Sequence, residues 1–554
     1  MATERPSHRA GRRLSDVALC TVAAVLTFVS FPTAWAPALT FFPLIWLSHV
    51  PLLWVLRDKG PRAAFGWGLF TGTLINTGGY YWIADLLEIF GALPLPIAWL
   101  GMLLHSLYQG LIWAAWAWLL NRIGNTTRVG VQWTAPVVMV ALELAVPRLF
   151  PAAMGNSQYL FPPIMQICDL FGVGAVTFLI YRVNAVLYLW LRARIEGRER
   201  PRRAALATAL MLAASLVYGV VRMAQTDARM RAAPTLRIGI AEADVGIFQT
   251  ETRPKIKDHL LILQHLSQRL AEAGAELVLW SESAYRFRFL RRDAARLRPS
   301  KVPLVDTADE DARRDTPVLD RAAPQRGFEV PLLFGLTTVL HGAAPRWEGD
   351  GTVTPYNTAF LLDRDGTIAG AYDKVFLLMF GEYVPFARFI PFFYDWVPAA
   401  GNLEPGRELK AITADLWGKG PIRFGVLICY EGILPSFVRP LGKQHPHLLV
   451  NLTNDDWFGK SAERYLHFAL TVPRAIEHRL AFVRATLTGV SAFVDANGRV
   501  LQMTRPTDPE TLLQEVPLLQ SETVYQTIGD ALSWACLALM LLWYAWGRLR
   551  RRSA

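Results

Sequence analysis

Three side chains follow apolar, strand-like runs, and their types could together perform nucleophilic chemistry. Cys429 follows the run 424–428, and a cysteine thiolate is a strong nucleophile. Glu282 follows the run 277–281, where a carboxylate could act as general base for a thiol. Lys374 follows a strand and a turn, where an ammonium group could stabilise an oxyanion or favour a thiolate.

Each of these residues also has a structural interpretation when it is considered alone. Cys429 could be an inert buried thiol, and Glu282 could be an acid at a helix N-terminus. Lys374 could be an ordinary surface lysine. The chemical interpretation therefore depends on the elements and motifs around the three residues.

All three residues lie in the segment 235–520, which alternates β-rich runs with helical stretches. An amphipathic pattern predicts a helix over 255–273. Residues 286–328 are rich in Arg, Asp and Pro and indicate either a long mobile excursion or a disordered insertion. Alternation of strands and helices favours a layered α/β or α+β domain. The strands are predicted at 236–241, 276–280, 332–336, 358–363, 423–429, 448–452 and 491–495.

The rest of the chain is apolar enough to cross a membrane. Hydrophobic residues make up 52% of the chain and charged residues 19%, and apolar runs of about 20 residues can span a bilayer as helices. We expect seven spans in 1–225, and one span with a basic tail in 526–554. The first run also resembles a signal peptide, but the further spans favour an uncleaved helix. The eight spans are predicted at 16–34, 38–56, 64–84, 96–120, 131–147, 168–191, 204–222 and 528–547.

The positive charge of the chain indicates an orientation in the membrane. The net charge is +11, and much of the excess arginine lies in short segments between the apolar runs, on one side if all eight spans cross. The positive-inside rule then predicts cytoplasmic termini and an extracytoplasmic domain at 235–520. It also explains the charge without nucleic-acid binding, which we do not expect.

Cysteine usage gives the globular domain neither a disulfide nor a zinc site. Of the four cysteines, Cys20, Cys168 and Cys536 lie in apolar runs, so only Cys429 lies in the globular domain. No cysteine and histidine cluster has the spacing of zinc ligands. We therefore expect no metal and no cofactor.

Three motifs in this order resemble the nitrilase superfamily. They are Trp-Ser-Glu-Ser-Ala at 280–284, Tyr-Asp-Lys at 372–374 and Ile-Cys-Tyr-Glu at 428–431. The resemblance implies a Glu–Lys–Cys triad on an αββα sandwich. Because spans precede and follow the domain, the whole chain resembles the apolipoprotein N-acyltransferase family. Further motifs that carry this resemblance lie at 93–96, 169–174, 380–385, 454–459, 474–477 and 484–486.

This resemblance implies a bacterial inner-membrane enzyme with a ping-pong mechanism. Cys429 would attack the sn-1 ester of a phospholipid, with phosphatidylethanolamine as the expected donor, and form a thioester. Glu282 would act as general base, and Lys374 would stabilise the oxyanion. The acceptor would be the α-amine of S-diacylglyceryl-cysteine in a diacylated apolipoprotein.

The same resemblance assigns supporting roles to four further residues. Glu382 and Glu431 would orient Lys374 or Cys429, and Tyr430 matches a position of the family active site. Trp457 would line the acyl or lid region, although core packing explains it equally well.

Departures from the family pattern leave other functions open. A Glu-Ala-Asp run at 242–244 replaces the usual Gln-Gly-Asn or Gln-Gly-Asp, Glu251 stands near the position of a tryptophan, and Leu487 replaces an asparagine. The donor, the acceptor or the rate could therefore differ. The alternatives are an acyltransferase with another acceptor, a membrane-anchored amidase of nitrilase type, and a non-catalytic lipid or lipoprotein carrier.

Overall fold

The computed structural model divides the chain into two compact units. The first comprises Met1–Met223, Lys460–Pro473 and Thr527–Ala554, and the second comprises Ala224–Gly459 and Arg474–Gln526. Glu251 and most of the excursion expected at 286–328 lie outside the described residues. The residues described are 6–33, 40–245, 253–291, 323–341, 353–385, 403–505 and 509–552.

The first unit is helical. Proline begins the helix Pro61–Gly79, and Gly197, with a φ of 63°, follows the last residue of the helix Gly174–Glu196. Later segments of the chain add α13, Glu463–Thr471, and α16, Ala531–Arg552. The earlier helices are α1 Pro6–Phe28, α2 Val50–Leu56, α3 Pro61–Gly79, α4 Ile83–Ile89, α5 Leu95–Thr127, α6 Val131–Ala145, α7 Pro162–Met165, α8 Cys168–Phe171, α9 Gly174–Glu196 and α10 Arg202–Ala232.

Four helices among the described residues are long and apolar enough to cross a membrane, namely α5, α9, α10 and α16. The segment Phe42–Leu56 and helix α6 are apolar but shorter. The eight spans expected from the sequence therefore stay a prediction. Helices α3 and α5 approach closely, because a Cβ on Gly72 would lie 2.7 Å from the carbonyl oxygen of Gly110.

The second unit contains two sheets. The strands are β1 Thr235–Glu242, β2 Leu277–Leu279, β3 Tyr285–Arg291, β4 Leu332–His341, β5 Val353–Leu362, β6 Ile368–Asp373, β7 Ile412–Ala414, β8 Ile422–Ile428, β9 Leu448–Thr453, β10 Ala481–Thr486, β11 Ala492–Val494, β12 Val500–Met503 and β13 Glu510–Pro517. The seven-stranded sheet has the order β13-β1-β2-β4-β5-β6, with β3 paired to β4, and the six-stranded sheet has the order β12-β11-β10-β9-β8-β7.

Helices cover both sheets. Helix α11, Arg253–Glu272, buries Leu263 and Leu270 against the first sheet at the helical spacing that the sequence predicts. Helix α12, Pro435–Gly442, packs on the second sheet, because a Cβ on Gly425 would lie 3.4 Å from Leu441. Two short helices, α14 Pro473–His478 and α15 Val524–Ile528, complete the unit.

The two sheets also contact each other. Thr504, just after β12, donates a hydrogen bond to Glu242 at the end of β1 over 2.9 Å. Gly370 of β6 has no side chain where Ile412 of β7 packs. The order helix, sheet, sheet, helix is that of the expected αββα domain.

Each of the seven strands expected from the sequence overlaps a strand of the structure. The sequence did not predict β3, β6, β7, β10, β12 and β13. Strand β6 matters most for the site, because Lys374 follows it directly. Strands β1, β2 and β4 are parallel, and two antiparallel pairings then make β6 run in the same direction as β4.

Candidate active site

The strand directions bring three sequence-predicted residues together. Glu282 follows β2 and Lys374 follows β6 at the same edge of the first sheet, since the two strands run in the same direction. Lys374 Nζ lies 3.4 Å from Glu282 Oε1. The Cys429 thiol follows β8 and lies near enough for the charges of Glu282 and Lys374 to act on it. All three side chains are buried.

The backbone turns sharply at two of these positions. Cys429 has a φ of 51°, and Ser283, next to Glu282, also has a φ of 51°. A left-handed conformation at a non-glycine residue costs on the order of 1–3 kcal/mol and often marks a functional site. Gly335 of β4 leaves room for the turn at Glu282, because a Cβ there would lie 2.7 Å from Glu282 Cα.

A second carboxylate and an amide hold Lys374 and Glu282 in place. Glu382 Oε2 lies 2.7 Å from Lys374 Nζ and accepts the N–H of Leu378 over 2.7 Å. Asn357 donates to Glu282 Oε1 over 2.6 Å and to Glu382 Oε1 over 3.0 Å. The sequence prediction included Glu382 but missed Asn357, although a polar residue at the start of the apolar run 357–362 was a usable signal.

Glu431 links the segment after Lys374 to the turn at Cys429. Its Oε1 accepts the Tyr372 hydroxyl over 2.8 Å and the N–H groups of Val375 and Phe376 over 2.8 and 3.0 Å. Its Oε2 accepts the N–H of Ile428 over 2.7 Å. Burial raises the pKa of Glu431 to about 7, against the lowering effect of these hydrogen bonds. Glu431 therefore fixes one side of the site against the other.

Two other predicted residues lie beside this core. The Tyr430 ring stacks on the Phe376 ring with 5.8 Å between their centroids. Trp457 is half-buried in the short 3-10 helix Asp456–Phe458. Leu487, the departure from the family pattern, is buried and donates its backbone N–H to the carbonyl of Thr453 over 3.1 Å.

A buried arginine supports the Cys429 turn from the second sheet. Asn451 donates to the carbonyl of Cys429 over 3.2 Å. Arg484 donates to Asn451 Oδ1 over 2.9 Å and to Asp455 Oδ2 over 2.7 Å. Arg484 and Asp455 belong to motifs that the sequence identified without assigning them a role.

The protonation states follow from burial and the paired charges. Burial raises the pKa of Cys429 to about 12, with a further rise from Glu282 and a lowering effect from Lys374. Burial also raises the pKa of Glu282, although Lys374 lowers it. Burial alone would lower the pKa of Lys374, but Glu382 and Glu282 more than offset this, so its pKa is raised. The resting site thus holds a neutral thiol and a charged ammonium.

Within the described residues no group of His, Cys, Asp and Glu side chains could hold a metal ion.

Two family models match the chain. The model of the apolipoprotein N-acyltransferase N-terminal domain matches residues 23–186, and the carbon-nitrogen hydrolase model matches residues 244–526. A protein of Geobacter metallireducens named apolipoprotein N-acyltransferase is 33% identical over 94% of this chain and 93% of its own length. One of the same name from Bdellovibrio bacteriovorus is 28% identical over 86% of this chain and 83% of its own length. The solved structure of an amidase from Nesterenkonia sp. is 20% identical, with a TM-score of 0.35, and covers 54% of this chain and 95% of the amidase.

Proposed function

Because the chain belongs to the apolipoprotein N-acyltransferase family, we propose that it transfers an acyl chain from a phospholipid to a lipoprotein. The acyl chain leaves the sn-1 ester, passes through a thioester on Cys429, and reaches the N-terminal amine of S-diacylglyceryl-cysteine. The observation that carries this proposal is the buried cluster in which the Lys374 ammonium lies 3.4 Å from Glu282 and the charges of both act on the Cys429 thiol.

The first half-reaction acylates Cys429. Glu282 takes the thiol proton while sulfur attacks the ester carbonyl of the phospholipid, which we propose to be phosphatidylethanolamine. Lys374 stabilises the oxyanion of the tetrahedral intermediate. The ester C–O bond then breaks, and Glu282 returns the proton to the lysophospholipid that leaves.

The second half-reaction transfers the acyl chain to nitrogen. The lipoprotein α-amine attacks the thioester, and Glu282 takes the amine proton. The C–S bond breaks, and the proton passes to the Cys429 sulfur, which restores the neutral thiol. A thioester favours this step because it reacts readily with amines, provided that the buried site excludes water.

The raised pKa of the thiol supports coupled proton transfer. A neutral thiol at rest must lose its proton during the attack, because the thiolate is the nucleophile. The raised pKa of Glu282 makes this carboxylate a stronger base than an exposed one. Glu382 and Glu431 act as positioning residues for Lys374 and the Cys429 turn, Tyr430 packs beside them, and Trp457 lines the acyl or lid region.

A membrane location supplies both lipid substrates. We propose eight spans, seven in 1–225 and one in 526–554, with cytoplasmic termini in a bacterial inner membrane. The domain 235–520 is then extracytoplasmic. Four described helices have the necessary length and hydropathy. The side chains of Phe376, Met379 and Phe380, close to Lys374, are 44%, 40% and 52% exposed and could contact lipid.

Mass spectrometry of the purified protein incubated with phosphatidylethanolamine tests the proposal. We expect a hydroxylamine-labile mass increase of one acyl chain on the wild type and none on Cys429→Ala. Addition of a diacylated lipopeptide should remove the adduct and yield a triacylated product. If neither folded protein forms an adduct, a phospholipid is not the donor, and the amidase or carrier alternative becomes the leading one.

A further inference from the structure

Arg286 is a cationic side chain beside the site that the proposed mechanism does not use. It lies on β3, on the same chain segment as Glu282, and is only partly exposed. Its Nε and Nη2 atoms are buried and donate to no acceptor among the described residues. Arg484, in the same unit, instead uses its guanidinium for Asn451 and Asp455. Arg286 therefore has buried donors to offer to a ligand.

Buried donors without acceptors are costly, so this arrangement indicates a ligand. A guanidinium keeps its charge in proteins, and leaving a buried polar group without a hydrogen bond destabilises the folded state. Burial lowers the pKa of Arg286, while the charges of Asp456 and Glu282 raise it. These carboxylates stabilise the cation electrostatically but leave the two buried nitrogen atoms without a hydrogen bond.

The charges around the site favour an anionic ligand at Arg286. Lys374 is already engaged by Glu382 at 2.7 Å and Glu282 at 3.4 Å. The carboxylates of Asp456 and Glu282 would repel the phosphate of a phospholipid unless a cation with free N–H groups lay nearby. The planar fork of a guanidinium matches phosphate oxygens with two parallel hydrogen bonds.

We propose that Arg286 binds the phosphate of the phospholipid donor and so holds the sn-1 ester at Cys429. This inference rests on the proposed function. The ester and the phosphodiester are attached to opposite ends of one glycerol, so an anchor for the phosphate also restricts the position of the ester. Arg286 thereby selects donors that carry a phosphodiester over neutral acylglycerols.

Two donors with the same acyl chains test this role, namely phosphatidylethanolamine and the corresponding diacylglycerol, which lacks the phosphate. The rate of Cys429 acylation is measured for each donor in the full-length wild type, Arg286→Gln and Arg286→Lys. We expect Arg286→Gln to lower kcat/KM about tenfold or more for the phospholipid, since a charge-assisted hydrogen bond is lost. The loss with diacylglycerol should be much smaller. Arg286→Lys should fall between, because lysine keeps the charge without the fork.

Arg269→Gln is the matched control, because Arg269 is exposed on α11, and it should retain the donor preference of the wild type. Equal losses with both donors in both variants would overturn the inference, because Arg286 would then act on Glu282 and Cys429 alone. Inorganic phosphate could also inhibit a wild type that is acylated equally fast by both donors. This result would assign a free phosphate to Arg286 and would overturn the inference as well. If the wild type forms no thioester with either donor, the proposed function fails and the inference with it.

Discussion

Asn357 holds the carboxylates of Glu282 and Glu382 in position beside the Lys374 ammonium. Its amide donates to both Glu282 and Glu382, and its hydrogen bond lowers the pKa of Glu282. Asn357→Ala should therefore raise the pKa of Glu282 further and shift the acidic limb of the pH–rate profile to higher pH. We also expect kcat/KM for Cys429 acylation to fall roughly 10- to 100-fold, as for loss of a supporting hydrogen bond in a site.

The pH profile separates this effect from simple unfolding. Gln268→Ala removes an exposed amide of α11 and should leave both the profile and the rate as in the wild type. Asn357→Asp adds a negative charge beside two carboxylates and should be less active than Asn357→Ala. An unshifted profile in Asn357→Ala would contradict the assigned electrostatic role.

Glu242 makes stability depend on pH. It is a buried carboxyl at the end of β1, and burial raises its pKa to about 8 against the hydrogen bonds from Ser491 and Thr504. A raised folded-state pKa gives stability that is complete below the unfolded value of about 4.3 and is lost as pH rises through the folded value. The wild type should therefore lose stability between those values.

Glu242→Gln removes this loss and restores the glutamine that the family pattern has at this position. We expect the Tm of the two proteins in detergent to be similar near pH 4, and that of Glu242→Gln to be higher near pH 8.5, by at least about 1 kcal/mol of unfolding free energy. Equal Tm values at both pH values would mean that Glu242 is ionised in the folded protein at neutral pH.

At the scale of elements, the close approach of β4 to the turn after β2 sets the position of Glu282. A Cβ on Gly335 would lie 2.7 Å from Glu282 Cα and 2.7 Å from Ser283 N, and backbone atoms cannot rotate away. Gly335→Ala should destabilise the second unit by about 1–3 kcal/mol. We also expect about a tenfold or greater loss of acylation, because Glu282 is displaced. Both are measured by thermal unfolding and thioester formation.

Gly66→Ala is the control for that substitution, because a Cβ on Gly66 of α3 would meet nothing within 4 Å. It should retain the activity and stability of the wild type. Full activity in Gly335→Ala would show that the Glu282 turn adjusts without affecting the chemistry.

Physical reasons explain why the sequence did not predict some of the strands. Strand β7 has three residues, which is too short for a periodic pattern. Strand β10 is fully buried yet contains Arg484, whose charge is compensated by Asp455 from another part of the chain. The grouping of Glu282, Lys374 and Cys429 could be predicted because their motifs are local, whereas the position of Asn357 depends on the pairing of β5 with its neighbours.

At the scale of the whole molecule, the hydropathy of the sequence does not identify every segment that belongs to the helical first unit. Lys460–Pro473 lies within 235–520 and nevertheless groups with the first unit. Helix α13 of this segment carries the polar residues Glu463, Arg464 and His467, so its sequence is typical of a soluble domain. Within the first unit, Phe468 of this helix packs on Tyr159 at 6.3 Å between ring centroids. Such a grouping depends on tertiary contacts that hydropathy does not contain.

Two of the eight predicted spans, 38–56 and 131–147, correspond to shorter apolar segments, and 38–56 consists of the 3-10 helix Phe42–Trp46 and the short helix Val50–Leu56. The span 38–56 can be tested directly. If it crosses, the segment at Asp58 is cytoplasmic like that at Arg198, and the segment at Lys410 is outside. Cysteines introduced at these three positions can be labelled in spheroplasts with a membrane-impermeant maleimide, because the four native cysteines are buried. We expect Lys410→Cys to react at once, and Asp58→Cys and Arg198→Cys only after permeabilisation. Immediate reaction of both Asp58→Cys and Arg198→Cys, with Lys410→Cys protected until permeabilisation, would mean that 38–56 re-enters without crossing while the N-terminus stays cytoplasmic.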